Sequence, residues 1–231
     1  MKQITTLFLL VLGLHNSIAQ NQTNLKTHYE AFYKQMKAQG DARGIIDGLT
    51  HLNILDPSKK RQDTLAYVYM SEGMYMQALN TIGVKKNTTD SNLAVEVKAV
   101  SLKAIGQSQK AIEHFEVLFK RNPGTSVAYE LAELNMQNQN LIQATTYVDY
   151  GLEHAKDDMY KAYYEMQQPY RVPLKAGFLY LKALVTFNKN KSTNIDKAIT
   201  LLDEALVLAP NFNLAQLSKD ALIGQKPKTE D

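Results

Sequence analysis

Hydrophobic side chains recur along most of the chain at spacings of three and four residues, and not in alternation with polar ones. In residues 110–123, KAIEHFEVLFKRNP, the apolar positions include Ala111, Phe115, Leu118 and Phe119. This spacing places them on one face of an α-helix. Short polar segments interrupt the pattern, namely SEG at 71–73, GQSQ at 106–109 and QNQN at 137–140. The sequence therefore predicts pairs of helices joined by tight turns.

The helix pairs repeat with a fixed period. With the small residue of each second helix as the reference, the equivalent positions are Ile45, Ala78, Ala111, Ala144 and Ala198. The first three steps are equal, at about 33 residues each, and such a period is typical of helical solenoids. Pro57, Pro123 and Pro210 each follow a second helix, because proline cannot continue the helical hydrogen-bond ladder.

These positions resemble the tetratricopeptide repeat (TPR) family, whose pattern spans about 34 residues. The matching residues are Leu65, Ala66, Tyr69, Gly73, Tyr75 and Ala78 in the second unit, Ala99, Leu102, Gly106, Ala111, Phe115 and Pro123 in the third, Leu131, Ala132, Leu141 and Ala144 in the fourth, and Ala198, Leu202, Ala205 and Pro210 in the fifth. The resemblance implies an all-α, right-handed superhelical solenoid of about five antiparallel helix-turn-helix repeats.

The repeat also predicts the organisation of the chain. The expected segments are units near 26–58, 59–91, 92–124, 125–157 and 174–212, a capping helix near 213–223 and a disordered tail at 226–231. The first unit departs from the pattern, with Tyr33 at a position for a small residue and Gly44 and Gly48 in its second helix. We interpret this as compensated packing, although a degenerate terminal unit would look similar.

A tyrosine-rich insertion near 157–173 interrupts the repeat, because the step from Ala144 to Ala198 is much longer than the steps before it. Seven of the 13 tyrosines fall between Tyr147 and Tyr180. One interpretation extends the fourth unit's second helix through the insertion until Pro169 and Pro173 break it. The other is a partner-binding lip, since tyrosine is enriched in interfaces. The candidate contact residues of the lip are Tyr160, Tyr163, Tyr164 and Tyr170.

The first helices of the units supply a second candidate surface, the groove that a TPR-like array implies. Glu30, Asp63 and Glu96 recur at one position in three consecutive units and predict an acidic ladder for a basic peptide. Further groove candidates are Tyr67, Tyr129 and Glu133. The alternative is an ordinary solvated face on which Lys34, Lys37 and Lys103 neutralise the acids.

Residues 1–19 have the layout of a secretory signal peptide. Lys2 precedes a short apolar run, and Ser17 and Ala19 form a small-x-small site, so we expect cleavage after Ala19. The mature chain is then exported, to the periplasm or the medium. No later apolar run approaches the length of a membrane span. With 26 basic and 23 acidic residues and no basic cluster, nucleic acid is not an expected partner.

Catalytic motifs are missing from the sequence. It contains no nucleophile elbow, phosphate loop, dinucleotide fingerprint or HExxH pair. There is no cysteine, and the histidines do not have metal-ligand spacing. We therefore expect no enzyme activity, no cofactor, no metal and no small-molecule substrate. The sequence favours a non-catalytic protein- or peptide-binding scaffold of the cell envelope. The alternatives are a structural spacer subunit of an envelope assembly and an enzyme with an unrecognised site.

Overall fold

Consecutive antiparallel helices make up most of the folded chain. A computed structural model describes residues 23–226. The expected signal peptide, its cleavage site and residues 227–231 of the expected tail lie outside this range. The described residues form two compact units, of which the first ends at Gln107 and the second begins at Ser108.

Each unit contains helices that contact their neighbours in sequence. The first unit contains α1 (23–39), α2 (Ala42–Leu55), α3 (Lys59–Ser71), α4 (Tyr75–Ile82) and α5 (Asn92–Ala104). The second unit contains α6 (Ser108–Arg121), α7 (Thr125–Gln137), α8 (Leu141–His154), β1 (Tyr160–Tyr163), β2 (Tyr170–Pro173), α9 (Leu174–Lys189), α10 (Ile195–Leu208) and α11 (Asn213–Gly224). Contacts join the successive helices from α2 to α5 and from α6 to α11.

The turns inside the helix pairs share one backbone geometry. A residue with positive φ occurs at the equivalent turn position of four pairs, at Gly40, Gly73, Gly106 and Gln139. Glycine adopts this conformation without a Cβ clash. A residue in this conformation after a helix lets the following amides donate hydrogen bonds to the last carbonyls of the helix. The amide of Met74, for example, donates to the carbonyl of Tyr69 at 2.8 Å. The period seen in the sequence is therefore also a period of the backbone.

The small residues and the prolines occupy the positions that the repeat predicts. Ala78, Ala144 and Ala198 are completely buried, where a larger side chain would separate neighbouring helices. Helices α2, α6 and α10 each end two residues before a proline. The interpretation of the alanine and proline positions as structural is confirmed.

The first helix pair compensates for its unusual residues. A Cβ atom added to Gly48 of α2 would lie 3.1 Å from Cβ of Tyr33 in α1. One added to Gly44 would lie 2.5 Å from the side chain of Met36. The missing side chains of α2 thus make room for the bulk of α1, as compensated packing predicts.

The insertion is a β-hairpin, and the expected continuation of the helix through it is wrong. Helix α8 ends at His154, and β1 pairs antiparallel with β2 in the register Tyr160 to Pro173 and Tyr163 to Tyr170. The sequences YKAY and YRVP carry aromatic and branched residues, which favour strands. The pairing of β1 with β2 also gives hydrogen-bond partners to backbone groups. In a broken helix these groups would have no partner.

Candidate functional site

The inner face of the hairpin is anchored in the core of the second unit. Tyr163 and Val172 on this face are buried. The Tyr163 hydroxyl lies 2.6 Å from the Tyr129 hydroxyl of α7, and the Tyr163 ring packs on Phe212 at a centroid distance of 4.8 Å. A Cβ on Gly177 of α9 would lie 3.1 Å from both the Tyr129 ring and the Tyr163 hydroxyl. The glycine therefore leaves the space that the hairpin needs.

Burial also determines the charge state of this tyrosine pair. Burial, and next the proximity of Tyr163, raise the pKa of Tyr129 well above its usual value. Burial likewise raises the pKa of Tyr163. Both hydroxyls are protonated at neutral pH, so the pair is a hydrogen bond between neutral groups. Lys161 adds to the anchor, because its Nζ lies 4.6 Å from the centre of the Tyr129 ring and 2.7 Å from Oε1 of Glu130 in α7.

The outer face and the tip of the hairpin present large side chains to solvent. Tyr160, Tyr164 and Met166 are 51%, 74% and 50% exposed. The guanidinium carbon of Arg171 lies 5.4 Å from the centre of the Tyr160 ring, a distance that suits a cation–π contact. We call these four residues the hairpin surface. The hairpin surface thus has several exposed aromatic and thioether groups, while the opposite face of the same hairpin packs in the core.

The outer edge of β1 carries unused backbone groups. The amide of Leu174 donates to the carbonyl of Met159 at 2.8 Å. Hydrogen-bonded pairs alternate along an antiparallel ladder, so Lys161 with Val172 and Tyr163 with Tyr170 are the next pairs that exchange hydrogen bonds. Tyr160 and Ala162 lie between these pairs, so their N–H and C=O groups point away from β2. Within residues 23–226 no backbone partner bonds to them. Such an edge can accept a further extended strand.

The four tyrosines predicted for a lip have three different placements. Tyr160 and Tyr164 are exposed, as a lip requires. Tyr163 is buried and is therefore an anchor of the hairpin and not a contact residue. Tyr170 is half-buried, stacks on Tyr163 at a centroid distance of 5.7 Å and donates its hydroxyl hydrogen to Glu165. Burial, followed by the bond to Glu165, raises the pKa of Tyr170.

The predicted acidic ladder loses its middle member. Glu30, Glu96 and the neighbouring candidate Tyr67 are exposed. Asp63 is only 4% exposed, and one of its carboxylate oxygens accepts a hydrogen bond from Ser91 at 2.7 Å. Ser91 is the N-cap of α5, so its hydrogen bond to the buried carboxylate of Asp63 holds α3 against the start of α5. The expectation that Asp63 faces a partner is corrected to a packing role.

The groove candidates of the second unit are also covered. Tyr129 is 1% exposed, because the hairpin lies over it, and Glu133 is half-buried. The sequence predicted Tyr129 as a surface residue on the assumption of a regular array with an open groove. The insertion replaces that open surface, and only its outer face remains for a partner. Tyr129 is therefore corrected from a contact residue to the buried partner of Tyr163.

Two of the histidines stack on tyrosine rings. His51 stacks on Tyr29 and His154 stacks on Tyr150, at centroid distances of 4.1 and 4.2 Å. Among residues 23–226, no group of three or more histidine, aspartate or glutamate side chains could hold a metal ion. None of the helices in the same range combines the length and the apolar composition that crossing a bilayer requires.

Sequence reasoning missed Met166, Arg171 and the strand character of the insertion. The signal for the strands was present, because inward and outward residues alternate in YKAY and YRVP on either side of a turn that ends in Pro169. Both runs are so short that their period could not be distinguished from that of a helix. The contact between Arg171 and Tyr160 depends on the strand register and has no signal in the sequence.

Comparison with known proteins identifies the fold. No protein-family model and no curated protein matches the chain. Several solved structures do. A tetratricopeptide repeat protein from Parabacteroides merdae is 15% identical, with a TM-score of 0.65 over 87% of this chain and 73% of that one. YrrB, a TPR protein with an unusual peptide-binding site, is 15% identical, with a TM-score of 0.66 over 89% of this chain and 97% of its own.

A third structure, that of MamA protein, is 17% identical, with a TM-score of 0.59 over 81% of this chain and 93% of its own. At these identities the likeness shows the fold alone. The fold is all-α and TPR-like, as the resemblance of the repeat implies. The hairpin between α8 and α9 is the one sheet within the described residues.

Proposed function

We propose that this chain is a non-catalytic protein-binding scaffold and that its partner docks on the hairpin surface. The observation that carries the proposal is the combination of exposed Tyr160, Tyr164 and Met166 with a buried anchor on the opposite face of the same hairpin. Aromatic and methionine side chains contribute large contact areas in interfaces. A segment that is already ordered loses less conformational entropy on binding than a flexible one.

The hairpin surface also indicates what the partner segment offers. Apolar side chains would pack on Tyr164 and Met166, and an acidic group would pair with Arg171. An extended segment could add to the open edge of β1 through the backbone groups of Tyr160 and Ala162. The fold neighbour YrrB is a TPR protein with an unusual peptide-binding site, and this supports peptide binding as the activity of the array.

The first prediction tests the hairpin surface with two matched variants. The double substitution Tyr164→Ala and Met166→Ala should abolish capture of a partner from envelope extract, because it removes two of the four side chains of the hairpin surface. The control, Ile142→Ala with Val207→Ala, removes two side chains of α8 and α10 that are even more exposed. It should leave capture unchanged. Thermal unfolding of both variants should match that of the wild type.

Three outcomes would contradict the proposal. Equal capture by the hairpin variant and the wild type would exclude the hairpin surface as the docking site. Loss of capture on Glu30→Gln with Glu96→Gln would assign recognition to the first unit instead. A stable stoichiometric complex that survives both sets of substitutions would indicate a spacer subunit whose contacts lie elsewhere. Deletion of the whole hairpin is not a suitable test, because it would remove Tyr163 and Val172 from the core.

We further propose that the protein acts outside the cytoplasm, on the basis of the signal-peptide pattern in residues 1–19. The expected mature N-terminus is Gln20, because Ser17 and Ala19 provide the small residues that signal peptidase requires. Mass spectrometry of the protein from the producing cell should show a chain that begins at Gln20. An intact N-terminal Met1 in the cell-envelope or secreted fraction would refute export by this route.

A further inference from the structure

A hollow in the first unit lies beside the segment that joins α4 to α5. Its volume is about 760 Å³. The charged side chains that line it are Lys59, Lys85, Lys86, Asp90 and Lys98. The hollow is separate from the hairpin surface, which belongs to the second unit, and the function proposed above does not use it.

Lys98 is the central group of this hollow. It lies on the core-facing side of α5 and is only 2% exposed. Its Nζ donates to Oδ2 of Asp90 at 2.6 Å and to the carbonyl of Lys85 at 2.9 Å. Lys98 is also among the residues that line the hollow, so its buried charge contributes to the electrostatic potential there.

The charges around the hollow are predominantly positive. Lys59 contacts Oδ1 of Asp90 at 3.2 Å, so both oxygens of this carboxylate are engaged by ammonium groups. Lys85 and Lys86 contribute two further positive charges at the rim. Asp90 is the only carboxylate among the lining residues, so the four lysines outnumber the acids of the lining.

We propose that the hollow, here called the lysine hollow, binds a phosphate-type oxyanion. The excess of positive charge in the lining suits the two or so negative charges of a phosphate monoester or a diphosphate group. Lysine binds phosphate as a point charge, and water screens the buried charge of Lys98 less than it screens a charge at the surface. The side chains of Ile82 and Val84 at the wall provide an apolar surface for the carbon part of such a ligand. The phosphate can belong to a small molecule or to a lipid headgroup.

Pyrophosphate and lipid vesicles test the proposal with the full-length protein. Isothermal titration calorimetry with pyrophosphate, at ionic strength held constant with sodium chloride, measures binding of a free phosphate group. Sedimentation with vesicles that contain phosphatidic acid, whose headgroup is a phosphate monoester, compared with phosphatidylcholine vesicles, measures binding of a headgroup. The variant Lys85→Gln with Lys86→Gln should weaken the interaction by at least about tenfold, because it removes two of the four cations and leaves the contacts of Asp90 with Lys59 and Lys98 intact.

The matched control is Lys34→Gln with Lys37→Gln, which removes two exposed cations from α1 and changes the net charge equally. It should bind like the wild type. Affinity that falls equally in both variants would show a response to net charge and would overturn the site. Absence of binding to pyrophosphate and to both kinds of vesicle would overturn it as well. Citrate that binds as tightly as pyrophosphate would refute the assignment of phosphate as the ligand class.

Discussion

Replacement of Lys98 by methionine is expected to lower the free energy of unfolding by about 3–5 kcal/mol. The ammonium group of Lys98 and the carboxylate of Asp90 are both buried and lie 2.6 Å apart. Removal of one partner leaves the other charge in a poorly hydrated site, which costs more than the pair itself contributes. Lys59 still contacts Asp90 in the variant, but its side chain is half exposed and screened by water. Urea denaturation measures the loss.

The double variant Lys98→Met with Asp90→Leu is the control for this prediction. It removes both buried charges and should recover most of the stability, so the two substitutions should be strongly non-additive. A loss of less than about 1 kcal/mol in Lys98→Met would show that the ammonium is hydrated in solution. The lysine hollow would then lack its buried charge.

The dependence of stability on pH is a second test of the buried pair of Lys98 and Asp90. Burial alone would raise the pKa of Asp90, but hydrogen bonds from Lys98 and Lys59 outweigh it and hold the pKa below its usual range. A carboxyl group whose pKa is lower in the folded state stabilises the fold above the unfolded-state pKa of about 3.9. This contribution is lost as the pH falls through the lower, folded-state pKa. Asp90→Asn should therefore show a weaker dependence of stability on pH below about pH 4 than the wild type.

Gly151→Ala in α8 is expected to destabilise the second unit by about 3 kcal/mol. At an exposed helical site the same change would stabilise by about 1 kcal/mol, because alanine has the higher helix propensity. At this site the new Cβ would overlap the ring of Phe178. Phe178 is completely buried and packs edge-to-face against Tyr129, so its ring has no free space to move into. Thermal and urea unfolding would measure the change and its sign.

Gly224→Ala is the matched control for Gly151→Ala, because nothing lies within 4 Å of a Cβ at this position in α11. It should be neutral or slightly stabilising. The variant Phe178→Leu should reduce the cost of Gly151→Ala, since the smaller side chain removes the ring that the new methyl meets. If Gly151→Ala is as stable as the wild type, α8 and α9 do not pack as closely as described.

The repeat could be predicted from the sequence because its causes are local. The turns need a residue that tolerates positive φ, the helix crossings need a small residue, and the helix ends precede proline. The first two requirements recur as a residue type in most repeats, as at Gly40, Gly73 and Gly106 or at Ala78, Ala111 and Ala144, while Gln139 and Ile45 take these positions in one repeat each. Even the exception in the first unit was predictable, since Gly48 and Tyr33 differ from the pattern in opposite directions.

The candidate site was predictable only in part. Tyrosine content marked the insertion as a region outside the repeat, and Tyr160 and Tyr164 are exposed there. The composition could not separate them from Tyr163, whose burial follows from the strand register and from its contact with Tyr129. The recurrence of Glu30, Asp63 and Glu96 likewise could not show that Ser91 holds Asp63 in a buried position.

The sequence by itself determined the helices, their turns and their period, because these depend on interactions between residues within about five positions of each other. The tertiary structure alone decided which face of the insertion is free and where Lys98 places its charge. Both depend on segments brought together by packing, such as the hairpin with α7 and α9, or α5 with the segment after α4. The exposure of a side chain depends on the residues that cover it. Those residues are far away in the sequence, so a local pattern cannot identify them.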